Sequence, residues 1–254
     1  MYYIYNDIKI KYYKYGNKNK EILILPGWGN TSKTFYSITN HFKDKYTIYT
    51  LDYPGFGKSP PPNKTLTIYN YTDLIINFMK DNQILNPIII AHSFGGRIAT
   101  LLTGYYKVNI DKLILFDIAS IKPTKTIKQK FKEKTYKLLK KITNILPNKK
   151  KLQEKLLNHF ASTDYKTLPS TMHETFKNII NEDLTKYIKY IKSETLIIWG
   201  EKDKDTPIKD AYKINNLIKN SGLIIYPNGS HYSYLDYPLL TNNIINEFIK
   251  EKDH

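Results

Sequence analysis

Short apolar runs alternate with helix-like segments along this chain, and this alternation limits its fold more than any other feature. The runs are Glu21 to Pro26, Tyr46 to Leu51, Pro87 to Ala91, Lys112 to Phe116, Thr195 to Trp199 and Leu223 to Tyr226. Each run stops at turn residues, as expected for strands that are buried on both faces. The segments between them are Lys33 to Phe42, Ile68 to Gln83, Phe94 to Tyr106, Ile208 to Asn220 and Leu239 to Lys250. The alternation predicts an α/β fold, with a mostly parallel sheet and helices on both faces.

The first residues of the chain add two strands to this sheet. Apolar residues alternate up to Tyr15, which predicts two short strands, and Gly16 with Asn17 is a candidate hairpin pair. The sheet then has about eight strands, and the 254 residues fit one large α/β domain. In such sheets, functional side chains gather at the carboxyl ends of the strands.

One region interrupts the alternation. From about 121 to 190 the pattern is helical and contains no strand-like run. Between Lys122 and Lys155 there are thirteen lysines and two glutamates, and apolar residues recur at helical spacing among them. We therefore expect a core domain formed by residues 1–120 and 191–254, with a basic, amphipathic helical insertion at 121–190.

The formal net charge of +16 does not by itself indicate a nucleic-acid partner. Every basic residue except Arg97 is lysine, whereas recognition of bases and phosphates favours arginine. We expect solvated lysine faces and no nucleic-acid partner. Arg97 itself is expected to anchor the helix after Ser93 through a buried carboxylate.

The chain contains no cysteine, which excludes disulfides, thiolate metal sites and a cysteine nucleophile. The N-terminus does not read as a signal peptide, and no window approaches the roughly 18 apolar residues of a membrane span. These observations predict a soluble, cytoplasmic protein.

The segment IIIAHSFGGRIA leads from a strand into a glycine pair and then into a helix, and it places Ser93 at the turn. Such a turn can hold a serine in a strained conformation with its hydroxyl exposed, provided that small residues let strand and helix approach. Ala91, Gly95 and Gly96 are those residues, although the usual GxSxG pattern has glycine where Ala91 stands. Ser93 is a candidate nucleophile, and the alternative is a helix N-cap.

A serine nucleophile needs a base within hydrogen-bond reach and an acid that orients the base. Of six histidines, His231 in PNGSHYSYLDYP follows the last strand at the same edge of the sheet and is the candidate base. The alternative is a loop histidine that caps the following helix. His92 precedes the serine and is expected to point away from it.

Three aspartates can supply the acid. Asp203 and Asp205 lie in IIWGEKDKDTP, beyond the strand that ends at Trp199, and Asp117 follows the run LILF. Asp203 and Asp205 can also be turn-forming or helix-capping aspartates, as most aspartates in such loops are. The order along the chain is nucleophile, acid, histidine for all three.

Five motifs, in this order, make the chain resemble the α/β-hydrolase fold superfamily over nearly its whole length. They are PGWG at 26–29, DYPGFGKS at 52–59, AHSFGG at 91–96, WGEKDKDTP at 199–207 and GSHYSYLDYP at 229–238. In that family the segment GxxDxxxP carries the triad acid, and it maps onto Gly200, Asp203 and Pro207. The resemblance therefore favours Asp203, with Asp205 and Asp117 as rivals.

The resemblance also implies an oxyanion hole made of backbone N–H groups. Phe94, directly after the serine, offers one N–H at a helix start, and Trp28 in PGWG offers the second. The family usually has histidine where this chain has Pro26. No cofactor and no metal are expected.

In this family an insertion after the sixth strand commonly forms a helical cap that selects substrates. The resemblance implies this role for residues 121–190, with Phe131, Tyr136 and Phe160 as candidate pocket residues. A second interpretation is that the basic helix lies on an anionic bilayer, as in a lipase that acts at interfaces.

These observations predict a serine hydrolase that cleaves carboxylic esters, or less favourably thioesters, of small and largely apolar substrates through an acyl-serine. The alternatives are a carbon-carbon bond hydrolase, a lyase or an acyltransferase on the same fold. A binding or receptor protein that retains the triad but turns over slowly is a further alternative.

Overall fold

The fold is a single eight-stranded sheet with helices on both faces. A computed structural model describes residues 1–122, 127–143 and 168–250, together with residues 148, 149, 152, 155, 156, 159 and 165. The strands are β1 (Tyr2–Tyr5), β2 (Ile8–Tyr15), β3 (Glu21–Leu25), β4 (Thr47–Leu51), β5 (Ile88–His92), β6 (Lys112–Phe116), β7 (Glu194–Gly200) and β8 (Ser221–Tyr226). All six apolar runs in the sequence form strands at the predicted places.

The strand order is β1-β2-β4-β3-β5-β6-β7-β8. The pairs β1/β2 and β2/β4 are antiparallel, and all pairs from β4 to β8 are parallel. The predicted α/β class with a mostly parallel sheet of about eight strands is confirmed. Because β5 is central, the turn that follows it lies in the middle of the carboxyl edge.

Helices cover both faces of the sheet. They are α1 (Tyr36–Phe42), α2 (Ile68–Asp81), α3 (Phe94–Thr100), α4 (Ile127–Thr143), α5 (His173–Asn181), α6 (Thr185–Ile188), α7 (Ile208–Leu217), α8 (Ser233–Asp236) and α9 (Pro238–Ile249). A 3-10 turn precedes α1, and a π-helical turn at Leu101–Tyr105 extends α3.

The strands bury both faces because successive side chains point to opposite sides. In β5, Ile89 and Ala91 pack in one core with α2 and α3. Ile88 and Ile90 pack on the other face with α1 and α9. Continuous apolar runs, rather than alternating ones, are therefore what this sheet requires.

The predicted hairpin at Gly16 and Asn17 is wrong. The hairpin turn lies at Asn6 and Asp7, with φ of 46° and 63°, where it joins β1 to β2. Asparagine and aspartate tolerate this left-handed conformation, which a two-residue type I′ turn requires. After Gly16 the chain continues to β3, while β2 pairs with β4, so the turn there closes no hairpin.

Arg97 anchors α3, but not through a carboxylate. Its guanidinium is buried and donates hydrogen bonds to the backbone carbonyls of Ala119 and Glu182. Ala119 follows β6 and Glu182 follows α5, so the arginine connects the helix after Ser93 to a residue before the insertion and to a residue within it. The expected carboxylate partner is replaced by main-chain acceptors.

Between β6 and β7 the described residues are helical where they are regular, as the sequence predicts. The division into a core and a cap at 121–190 stays a prediction. Phe131 in α4 is 72% exposed, and Phe160 lies outside the described residues. Among the described helices, none combines the length and the hydropathy needed to cross a membrane.

Candidate active site

Ser93 lies at the sharp turn between β5 and α3. Its φ of 49° and ψ of −110° form a backbone conformation that serine rarely adopts. A Cβ on Gly95 would lie 2.0 Å from the carbonyl oxygen of Leu25, and one on Gly96 would lie 2.2 Å from Cγ2 of Ile118. Both positions therefore need glycine for α3 to pack this closely on the neighbouring strands.

The Ser93 hydroxyl makes no capping hydrogen bond to α3. Its Oγ lies 2.9 Å from Nε2 of His231 instead. The N-cap interpretation therefore does not describe this side chain. The chain turns so sharply that the hydroxyl stands above the strand ends, where a side chain from a later loop can reach it.

His231 lies between Ser93 and Asp203. Its Nδ1 is 2.8 Å from Oδ2 of Asp203, which follows β7. Asp203 is fixed in turn, because its Oδ1 accepts hydrogen bonds from the N–H groups of Asp205 and Thr206. The structure thus brings Ser93, His231 and Asp203 into one hydrogen-bonded row. Asp205 contributes its backbone N–H, and Asp117 bonds to other groups.

The pKa values of the two central groups follow from their contacts. Burial lowers the pKa of His231, but the hydrogen bond and the negative charge of Asp203 act in the opposite direction, and the net pKa is raised above 6.5. Burial raises the pKa of Asp203, but the hydrogen bond and charge of His231 and the bonds from Thr206 lower it more. The row therefore stabilises an imidazolium next to a carboxylate.

His92, to which the sequence assigned no role, contacts the backbone of His231. Its ring is fully buried, and its Nε2 lies 2.7 Å from the carbonyl oxygen of His231. Because a carbonyl only accepts, Nε2 carries a proton. Burial, with the charge of His231, lowers the pKa of His92 to about 3, so the ring is neutral near pH 7. In the sequence, its position directly before Ser93 was the feature that could have indicated a place next to the site.

Trp28 and Phe94, the predicted oxyanion residues, lie side by side. Their rings pack edge to face with centroids 5.2 Å apart. A Cβ on Gly27 would lie 2.7 Å from Nδ1 of His92, so only glycine lets the loop before Trp28 approach β5 this closely. Among the described residues, neither backbone N–H has a hydrogen-bond acceptor. Both N–H groups are therefore available to a bound oxygen.

Two residues of the insertion reach this region, and sequence reasoning missed both. The ring of Phe176 in α5 lies 5.4 Å from that of Trp28, and Met172 is fully buried against Gly55. The sequence feature that could have indicated them is helical spacing, because Met172, Phe176 and Ile179 fall on one face of α5 and the turn before it. The candidate Phe131, by contrast, is mostly exposed.

Asp203, Asp205 and His231 also place possible metal-ligand atoms within 4.8 Å of one another. Both ring nitrogens of His231 are already engaged, with Ser93 and with Asp203. A metal on either nitrogen would break the row, so the contacts fit proton transfer better than metal binding.

Comparison with known proteins gives the family. A family model described as the alpha/beta hydrolase fold matches residues 20–178. The pimeloyl-acyl-carrier protein methyl ester esterase of Wigglesworthia glossinidia brevipalpis is 31% identical, over 93% of this chain and 96% of that protein. A 2-hydroxy-6-oxononadienedioate/2-hydroxy-6-oxononatrienedioate hydrolase of Pseudomonas putida is 21% identical, over 96% and 92%.

A solved structure agrees in fold. The α/β-hydrolase enzyme from a Medee basin deep-sea metagenome library superposes with a TM-score of 0.77. The two proteins share 20% identity, and the match covers 100% of this chain and 99% of that one. From the family match, the esterase relative and the shared fold, we conclude that the chain is a hydrolase that belongs to the α/β-hydrolase fold family.

Proposed function

We propose that the protein is a serine hydrolase that cleaves carboxylic esters of small, largely apolar substrates through an acyl-serine. The observation that carries this proposal is the hydrogen-bonded row from Ser93 through His231 to Asp203, with distances of 2.9 and 2.8 Å. A hydroxyl, an imidazole and a carboxylate in this order are the parts that acyl transfer needs.

In the proposed reaction, Oγ of Ser93 attacks the ester carbonyl carbon and its proton passes to Nε2 of His231. Asp203 stabilises the resulting imidazolium through the N–H on Nδ1. The N–H groups of Trp28 and Phe94 stabilise the negative oxygen. His231 then gives its proton to the leaving alcohol. Water attacks the acyl-serine, His231 takes one proton from it, and Ser93 regains that proton as the acid leaves.

The surroundings support an apolar acyl or alcohol group. Trp28 packs against the rings of Phe56, Phe94 and Phe176, which come from three separate segments. We propose on this basis that residues 121–190 form a cap, because Phe176 belongs to that segment. Methyl esters belong among the substrates to test, since the Wigglesworthia relative is named for one.

The test is a panel of p-nitrophenyl and methyl esters, from acetate to laurate, with Ser93→Ala as the control. We expect the wild type to hydrolyse part of the panel and Ser93→Ala to lose on the order of 10⁴-fold or more of kcat. If a fluorophosphonate labels the wild type at Ser93 but the wild type cleaves no ester, that result would contradict the proposed esterase activity. Adding a vinylogous 1,5-diketone to the panel tests the carbon-carbon hydrolase alternative.

A further inference from the structure

Asp117 is a buried carboxyl group that the proposed reaction does not use. It follows β6 directly, with its side chain fully buried and a φ of 46°. Strand β6 lies between β5, which leads to Ser93, and β7, which leads to Asp203. The carboxyl group therefore lies at the same edge of the sheet as the candidate active site.

Both oxygens of Asp117 accept hydrogen bonds from segments that carry the site. Oδ1 accepts from the N–H of Gly200 at 2.7 Å, at the end of β7. Oδ2 accepts from the hydroxyl of Ser233 at 2.5 Å and from its N–H at 3.3 Å. Gly200 lies three residues before Asp203, and Ser233 lies two residues after His231. One side chain thus connects the segments that hold the acid and the base.

The backbone of Asp117 adds a second connection. Its N–H donates to the carbonyl of Ile198 at 3.2 Å, and its carbonyl oxygen lies 3.2 Å from the hydroxyl oxygen of Thr206. That hydroxyl donates to Oδ2 of Asp203 at 2.5 Å. Two routes therefore lead from the residue after β6 to the row of Ser93, His231 and Asp203.

Burying this group is unfavourable, since an apolar residue of similar size would avoid the desolvation cost. Burial, with the charge of Asp203 as a smaller cause, raises the pKa of Asp117 to about 7, although the hydrogen bonds from Ser233 and Gly200 and the charge of His231 act in the opposite direction. The titratable groups that face it are Asp203, His231, Tyr226 and Tyr234. When Asp117 is ionised, its negative charge adds to that of Asp203 in raising the pKa of His231.

We propose that Asp117 is a positioning residue for His231, because its carboxylate fixes the start of α8 and the end of β7 against each other. This inference rests on the proposed function, since positioning matters only if His231 is the base. Asparagine replaces the carboxylate only in part, because an amide has one acceptor oxygen. Its NH₂ group would face either the N–H of Gly200, a donor, or the N–H and hydroxyl of Ser233, of which only the hydroxyl can also accept.

The experiment compares Asp117→Asn and Ser233→Ala with Asp73→Asn, a matched control. Asp73 lies in α2, and its carboxylate accepts a hydrogen bond from the hydroxyl of Tyr106 at 2.7 Å. For each variant, kcat and KM are measured on an ester that the wild type cleaves, and the rate of fluorophosphonate labelling at Ser93 is measured against pH. Rates are normalised to the fraction of protein that becomes labelled, which removes unfolded molecules from the comparison.

We expect Asp117→Asn to lower kcat by about 10²-fold, as misplacing a catalytic group does, with KM nearly unchanged. The acid limb of its labelling profile, where labelling rises with pH, should move to lower pH, because the variant lacks the negative charge that ionised Asp117 places near His231. Ser233→Ala should lower kcat less and leave the limb in place, since the charge remains. Asp73→Asn should behave like the wild type.

Two results would overturn the proposal. One is an Asp117→Asn variant with wild-type kcat and an unmoved acid limb. The other is an Asp117→Asn variant as inactive as Asp203→Asn, which would make Asp117 the orienting acid itself. A wild type that reacts with neither ester nor phosphonate would instead reject the proposed function, and the role of Asp117 would fall with it.

Discussion

Ser93 occupies a backbone conformation that costs roughly 1–3 kcal/mol, and the surroundings show why it persists. Its N–H donates to the carbonyl of Phe116, and its own carbonyl accepts from the N–H groups of Gly96 and Ala119. These bonds tie the turn to β6 and to α3. A serine that served only as a helix cap would need none of this strain, whereas a hydroxyl aimed at His231 does.

Asp203, and not Asp205, is expected to orient His231. Asp203→Asn should lower kcat by about 10⁴-fold, because an amide at this position no longer stabilises the imidazolium or selects its tautomer. Asp205→Asn should change kcat only a few-fold, since Asp205 contributes its backbone N–H to Asp203. Steady-state kinetics on one ester decide between them. A larger loss in Asp205→Asn would reverse the assignment.

The pH dependence follows from the raised pKa of His231. Only the neutral imidazole accepts the proton of Ser93, so kcat/KM should rise with pH and reach half its maximum above 6.5. In Asp203→Asn the main group that raises this pKa is neutral, so the midpoint of the residual activity should fall. A pH profile of kcat/KM measures both. A midpoint at or below 6.5 in the wild type would contradict the raised pKa of His231.

Secondary structure elements were predictable here to different degrees. The parallel strands from β3 to β8 are apolar because both faces are covered, and such runs are visible in a single sequence. The hairpin was misplaced because β2 pairs with β4, which lies far away in sequence. Gly16 has a positive φ and also resembles a turn residue. Pairing between strands that lie far apart in the sequence is hardly visible in the local residue pattern of either strand.

At the scale of elements, the approach of α3 to β3 should depend on Gly95. We expect Gly95→Ala to lower the free energy of unfolding by about 1–3 kcal/mol, because its Cβ would lie 2.0 Å from a backbone oxygen. Gly222→Ala is the control, since no heavy atom lies within 4 Å of its Cβ position. Urea unfolding measures both, and equal stability of the two variants would contradict the close packing.

Across the whole molecule, the sequence places Ser93, Asp203 and His231 in turns and loops that follow the ends of β5, β7 and β8, while the choice of Asp203 over Asp205 and Asp117 depended on the family resemblance. It could not locate Phe176 or His92, whose contacts with Trp28 and His231 depend on how distant segments pack. Asp117 was considered only as a rival acid. Its bonds to Gly200 and Ser233 join residues far apart in sequence, so no local pattern announces them.

The exposed lysines of α4 raise the question of whether this helix binds anionic membranes. Apolar residues of α4 are exposed, with Leu138 at 60% and Ile142 at 46%, and lysines such as Lys134 and Lys141 are exposed beside them. We interpret the lysines as a solvated face, and expect no retention on anionic vesicles at physiological ionic strength. Co-sedimentation measures this. Salt-sensitive binding that Lys134→Gln and Lys141→Gln abolish would favour the interfacial interpretation instead.

If Ser93 is the nucleophile, it carries the acyl group of the substrate during turnover, and this acyl-serine can be trapped. An ester that the wild type cleaves is mixed with the enzyme, and the reaction is quenched in acid during turnover. Mass spectrometry of the digested protein should then find the acyl group on the peptide that contains Ser93, and His231→Ala should accumulate far less of it. Turnover that persists in Ser93→Ala, or an acyl group on another residue, would contradict the account.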